Sequence, residues 1–123
     1  MANNRKTHTY EMLDGTTVEY VTGHNARENT RLVQEAMSSD IWFHAGDGIS
    51  SCHVIAALPE NHDFTERELL NIVKVGAGLC KQNTNKLKDQ CQVPIIYTTA
   101  DNVKTTKVYG EVRLKGSPKT IYI

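Results

Sequence analysis

Asp40-Ile41-Trp42-Phe43-His44-Ala45, the loop Gly46-Asp47-Gly48-Ile49-Ser50-Ser51, and Cys52-His53-Val54-Ile55-Ala56-Ala57-Leu58 read as two β-strands and the turn joining them. The first run alternates with period two, which sends Ile41, Phe43 and Ala45 to one face and Asp40, Trp42 and His44 to the other. The apolar set belongs in a core. Symmetric pairing about the Gly/Ser-rich loop places Phe43 across from Val54 and His44 across from His53, and directly opposed residues have Cβ atoms about 5 Å apart. The spacing therefore predicts a hairpin carrying a histidine pair, flanked by Trp42 and with Asp47 on the loop beside it.

Upstream, Thr7 to Leu13 and Thr16 to Thr22 are rich in β-formers around Asp14-Gly15, a dipeptide that tolerates the positive φ of a tight hairpin. A short helix follows Gly23 and ends near Met37, capped either by Asn25 with Glu28 three residues on or by Asn29 alone. Downstream, Thr65 and Glu68 form a capping-box pattern that opens a long helix over Glu66 to Gln82. Its stripe is Leu69, Ile72, Val73, Gly76, Ala77 and Cys80, at spacings of three and four. Two interior glycines, Gly76 and Gly78, signal either a close approach to a sheet or a tolerated weakness of about 1 kcal/mol each. Gln92 to Thr98, Lys107 to Leu114 and Lys119 to Ile123 read as the remaining strands, with Pro94 at a strand start or an edge. The expectation is an α+β fold: a single domain over residues 1–123 with a mixed or largely antiparallel sheet, one short helix and one long one.

The 123-residue length suits one domain, and 39% hydrophobic with 23% charged residues suits a buried core rather than disorder. No apolar run approaches the roughly 20 residues of a membrane span, and the N-terminus lacks a secretory pattern, so a cytoplasmic location is expected. Three cysteines, Cys52, Cys80 and Cys91, are an odd number without metal-ligand spacing, which suggests neither a disulfide framework nor structural zinc. No cofactor is expected.

Net charge is zero but unevenly spread. Residues 1–70 hold five Lys/Arg against eleven Asp/Glu, and residues 71–123 hold nine against three. Such asymmetry hints at a polyanion partner, with Lys86, Lys88, Lys104, Lys107 and Lys119 as candidate phosphate contacts. The plain alternative is a set of solvated lysines, since a sequence half need not be a surface half.

Three uses of the histidine niche compete. Each imidazole can be satisfied by backbone or carboxylate and simply shape the loop. Alternatively, Trp42 or a histidine stacks a base while a histidine, Ser50 or Ser51 donates to phosphate. A metal-assisted nuclease or phosphoesterase using His44, Asp47 and His53 is the third, although two histidines and one aspartate specify no chemistry alone.

The order Asn29 with Leu32, then Asp40-Ile-Trp-Phe-His44-Ala, His53-Val-Ile, Val93 to Thr98 with Val103-Lys104, Gly110-Glu-Val112 and Lys119-Thr-Ile-Tyr-Ile resembles the NFACT-R module over about Val18 to Ile123. This resemblance implies an α+β domain that binds RNA without itself being an established enzyme. In ribosome-associated quality-control factors the RNA would be tRNA or rRNA of the large ribosomal subunit, and the small coiled-coil-containing homologues add DNA as a candidate. Asp40, Trp42, His44, His53, Lys104 and Lys119 match family-typical positions, and Asn29 would shape the segment before the helix. The sequence departs from the pattern at Gly46, where a lysine is usual, and at Ser50-Ser51-Cys52, which replaces Pro-Gly-Ser. The expected role is a free-standing, non-catalytic recognition module linked to translation. A different class of function is a protein adaptor whose acidic N-terminal half docks a ribosomal or other basic partner.

Overall fold

The structure is a computed structural model that describes residues 5–60 and 62–123. Strands β1 (Arg5–Glu11) and β2 (Thr17–Gly23) form the first hairpin. Its turn closes through the Met12 N–H to the Thr16 carbonyl, with Gly15 at φ +88° supplying the left-handed position that a three-residue connection requires. Helix α1 (Ala26–Glu35) starts at Asn25, whose side chain accepts the Glu28 N–H at 2.7 Å. Asn25 is thus the cap, and Asn29 lies inside the helix.

Strands β3 (Ile41–Ala45) and β4 (Val54–Ala57) pair antiparallel with Phe43 opposite Val54, the register expected from the loop symmetry. Helix α2 (Glu66–Gln82) has the bounds read from the sequence, and both halves of the Thr65/Glu68 capping box are formed. Strand β5 (Pro94–Thr99) begins at Pro94, where a missing N–H costs the ladder least, and a single 3-10 turn (Ala100–Asn102) follows. The chain ends with β6 (Val103–Thr105), β7 (Val112–Leu114) and β8 (Lys119–Tyr122).

One reading changes. Lys107 to Leu114 is not one strand: only Val112–Leu114 is extended, it pairs with the unforeseen β6, and residues 106–111 form the turn between them. The physical reason is Gly110, at φ +82° and packed so closely on α1 that a Cβ would lie 3.1 Å from the Ala26 side chain. Its N–H donates to Thr30 Oγ1 at 2.7 Å, which holds the turn against the helix.

Six strands make one antiparallel sheet in the order β1-β2-β4-β3-β5-β8, and β6-β7 form a separate ribbon. Ile41, Phe43 and Ala45 pack with Ile72, Val73, Ala77 and Cys80 of α2 in the larger core. On the opposite face Trp42 and Ile55 pack with Leu32 and Val33 of α1 and with Val103 of the ribbon. The sheet is therefore covered on both sides. Asp40 is buried and ties the corners together: Oδ2 accepts the Met37 N–H at 2.9 Å, and Oδ1 accepts the Leu58 N–H at 3.2 Å. The two glycines of α2 resolve differently. A Cβ at Gly76 would sit 2.3 Å from the Phe43 ring, whereas one at Gly78 would meet nothing within 4 Å. The first glycine permits helix-to-sheet contact, and the second is the tolerated weakness.

Candidate nucleic-acid interface

Continuing the β3–β4 register by one residue brings the two histidines together, with ring centroids 4.7 Å apart and nearly perpendicular. The Trp42 indole N–H donates to His53 Nδ1 at 3.1 Å, which leaves the neutral ring's proton on Nε2. His53 also anchors its neighbours through the backbone: its N–H reaches Asn29 Oδ1 at 3.2 Å, and its carbonyl accepts from Gly23 at 3.0 Å. Gly23 has to be glycine here, because a Cβ would lie 2.3 Å from Asn29 Oδ1. Burial, and then the charge of His44, lower His53 to a pKa of about 3, with the Gly110 backbone opposing. It is a neutral ring at physiological pH.

His44 is different. Its ring stacks parallel on Trp42 at 5.7 Å, and Nδ1 lies 2.7 Å from the Ala45 carbonyl, an acceptor only, so Nδ1 carries the proton and neutral Nε2 keeps its lone pair. Burial lowers its pKa, the Ala45 bond opposes, and the nearby Lys86 ammonium lowers it further.

Both histidines line a cleft of about 810 Å³ at the end of the sheet, between the N-terminus of α1 and the C-terminal end of α2. Lys6 of β1 and Lys86, which follows α2, both line it, and among the described residues no aspartate or glutamate does. Anions are favoured there for two reasons: two ammonium groups with no carboxylate among the described lining residues, and the start of α1 at Asn25 and Ala26, where first-turn amides have no intrahelical acceptor. At the rim, Tyr109 is 60% exposed and the Arg27 guanidinium lies 5.9 Å from its ring centroid.

The residues singled out from sequence fall into three groups. His44, His53, Ser50, Ser51, Asn29 and Lys86 line the cleft. Ser51 is already engaged, accepting the Ala45 N–H at 2.9 Å and donating to the Cys52 carbonyl at 3.0 Å. Lys88, Lys104 and Lys107 are exposed outside it. Lys104 stands directly opposite Arg113 on the outer side of the ribbon, a like-charge pair that a folded chain tolerates poorly without a counter-ion. Lys119 is remote. It pairs with Tyr97, which pairs with Phe43, so it belongs to the α2 face, where it lines a second groove with Glu66.

Two expectations are corrected. Trp42 is 1% exposed, so it is no stacking surface; it is the hydrogen-bonded floor under the histidines. The basic residues of the C-terminal half do not form one patch, because the sheet separates Lys119 from Lys104. Among the described residues every ion pair involves Arg5, Arg31 or His62, and none a lysine. Glu28 and Glu35 of the acidic half are paired to Arg5 and Arg31, so those two carboxylates are not a free docking charge.

Asp47 is exposed with φ 56° and does not join the histidines. Three potential metal-ligating groups converge within 4.8 Å at Asp14, His62 and Glu68, and not at His44, Asp47 and His53. Sequence reading missed Lys6, Arg27 and Tyr109. A continuous strand over Lys107 to Leu114 conceals the turn that presents Tyr109, and no local signal in residues 5–7 or 26–28 marks them as neighbours of Lys86. No helix among the described residues is long and apolar enough to cross a membrane.

Comparison with known proteins agrees with this fold. The chain is 30% identical over 97 residues to a coiled-coil domain-containing protein 25 homolog of Dictyostelium discoideum, covering 79% of this chain and 46% of that protein. A solved structure, the C-terminal part of the fibronectin/fibrinogen-binding protein from Streptococcus suis, superposes with a TM-score of 0.73 at 25% identity, covering 96% of this chain and 45% of that one. The chain thus spans about half the length of these relatives. A family model described as the NFACT protein RNA binding domain matches residues 6–118, so the chain belongs to the NFACT RNA-binding domain family.

Proposed function

We propose that this protein is a non-catalytic RNA-binding module that holds tRNA or rRNA in translation or ribosome-associated quality control. The observation that carries the reading is the cleft lined by Lys6 and Lys86, without a carboxylate among the described residues, at the N-terminus of α1. Phosphate oxygens find two ammonium charges and the start of a helix there, and Lys104 with Arg113 extends positive charge along the ribbon. The translational setting, a contact with the large ribosomal subunit and a cytoplasmic location follow the family resemblance. DNA presents the same phosphates and is the natural competitor in a binding assay.

A non-catalytic role is supported by the state of the histidines: His53 Nδ1 is occupied by Trp42, and Asp47 stands apart. The test is tRNA binding measured across a salt series for the protein, for Lys6→Glu with Lys86→Glu, and for Lys119→Glu. The double reversal is expected to weaken binding by about 10-fold or more at low salt and to flatten the salt dependence by about two phosphate contacts, while Lys119→Glu leaves both nearly unchanged. Equal affinity of the double variant and the parent removes the proposed surface. Cleavage of the RNA with Mg²⁺ or Mn²⁺ that disappears in His44→Ala replaces the binding role with a catalytic one.

A further inference from the structure

We infer that the cleft receives one unpaired nucleotide, its base stacked on Tyr109 and its phosphate at the start of α1, so that RNA carrying an extruded or terminal base is preferred over continuous duplex. The inference rests on the RNA-binding reading and deepens it.

Three observations converge. Tyr109 is an exposed ring at the cleft rim, with Arg27 at 5.9 Å on one side and 60% of its surface open. A ring backed by a cation and open to solvent is a stacking platform, whereas bases inside a duplex are already stacked and present only edges. The turn bearing Tyr109 is held in place by the Gly110 N–H to Thr30 bond at 2.7 Å, so the platform is fixed before ligand arrives.

The second observation is Asn29, only 8% exposed yet lining the cleft. Its Oδ1 is fixed by the His53 N–H, which sets the amide's orientation, and its Nδ2 donates to no described residue. That donor is not sealed off: among the described residues the buried side-chain polar atom without a partner is His8 Nε2, so Asn29 Nδ2 is open to solvent and to a ligand. Neutral His44 adds an acceptor at Nε2, so the cleft offers a donor and an acceptor to a base edge as well as charge to phosphate. Phosphate binding alone leaves both unused.

The third is size. About 810 Å³ falls within the range of small-ligand pockets, roughly 300 to 1,000 Å³, which suits one nucleotide. Lys6, Lys86 and the start of α1 at Ala26 then supply the phosphate contacts.

The experiment compares a blunt RNA duplex with the same duplex carrying a single bulged nucleotide, by fluorescence anisotropy at fixed low salt, using the parent protein, Tyr109→Ala and Tyr109→Phe. Tyr109 is exposed, so neither variant threatens the core. The parent is expected to prefer the bulged RNA by about 10-fold; in Tyr109→Ala the two RNAs bind within about 2-fold of one another, and Tyr109→Phe retains the preference. Equal affinity of the parent for the two RNAs, or a preference unchanged in Tyr109→Ala, overturns the inference and leaves the RNA-binding reading standing. Absence of binding to either RNA overturns both.

Discussion

Phe43 and Trp42 are consecutive residues of β3, both essentially buried, yet they serve different ends. Phe43 faces α2 and is packed so closely that Gly76 has no room for a methyl group. Trp42 faces α1 and is the base of a polar relay: its indole donates to His53, His53 anchors Asn29 and Gly23, and His44 stacks above it at the cleft. Hydrocarbon contact on one face supplies stability. Hydrogen bonds on the other hold a few polar groups at the edge of an open site, where they keep unused bonding capacity. A single strand with period two is enough to divide the labour.

The largest effect that would break this comparison lies on the Phe43 side. Gly76→Val places three carbons where the Phe43 ring already stands, and overpacking of this kind should lower unfolding free energy by about 3 kcal/mol, read from the urea midpoint. A variant as stable as the parent would mean the two layers are loosely packed.

Acid tests the Trp42 side. His53 is held neutral, with its pKa lowered to about 3, and His44 is lowered as well. In the unfolded chain both would titrate near 6.5. Between those values the unfolded state binds more protons, so stability is fully present above about pH 6.5 and is lost as pH falls toward 3. For His53 alone this amounts to about 2 kcal/mol between pH 7.5 and pH 5. Urea melts at the two pH values should show a loss of that order, and a flat profile over this interval would mean that His53 takes a proton without cost. The smallest effect separates helix from interface: Gly78→Ala, with open space around the new methyl, should raise the melting temperature through a gain of up to about 1 kcal/mol. Destabilisation there would extend the tight contact of Gly76 along the helix.

Much of the frame was legible locally. The capping box at Thr65 and Glu68 and the apolar stripe gave α2 its bounds, because side-chain capping and helical period are short-range effects. The histidine juxtaposition was legible for a similar reason: alternation and loop symmetry set the register of a hairpin. The site as a whole was not. Lys6 from β1, Tyr109 from the ribbon turn and Lys86 after α2 are separated by most of the chain, and nothing in their neighbourhoods encodes the shared cleft. Lys107 to Leu114 misled because β-formers outweighed one glycine whose positive φ is visible only once the turn docks on α1.

The amino-acid order determined the α+β class, the β3–β4 pairing and which side of β3 would be hydrocarbon, since these depend on periodicity and on contacts a few residues apart. It also carried the family pattern. Tertiary structure alone decided that Trp42 is floor rather than surface, that Lys119 and Lys104 lie on opposite sides of the sheet, and that Lys6 joins Lys86 at a helix start. Charge and exposure are properties of a surface, and a surface exists only after distant segments have packed.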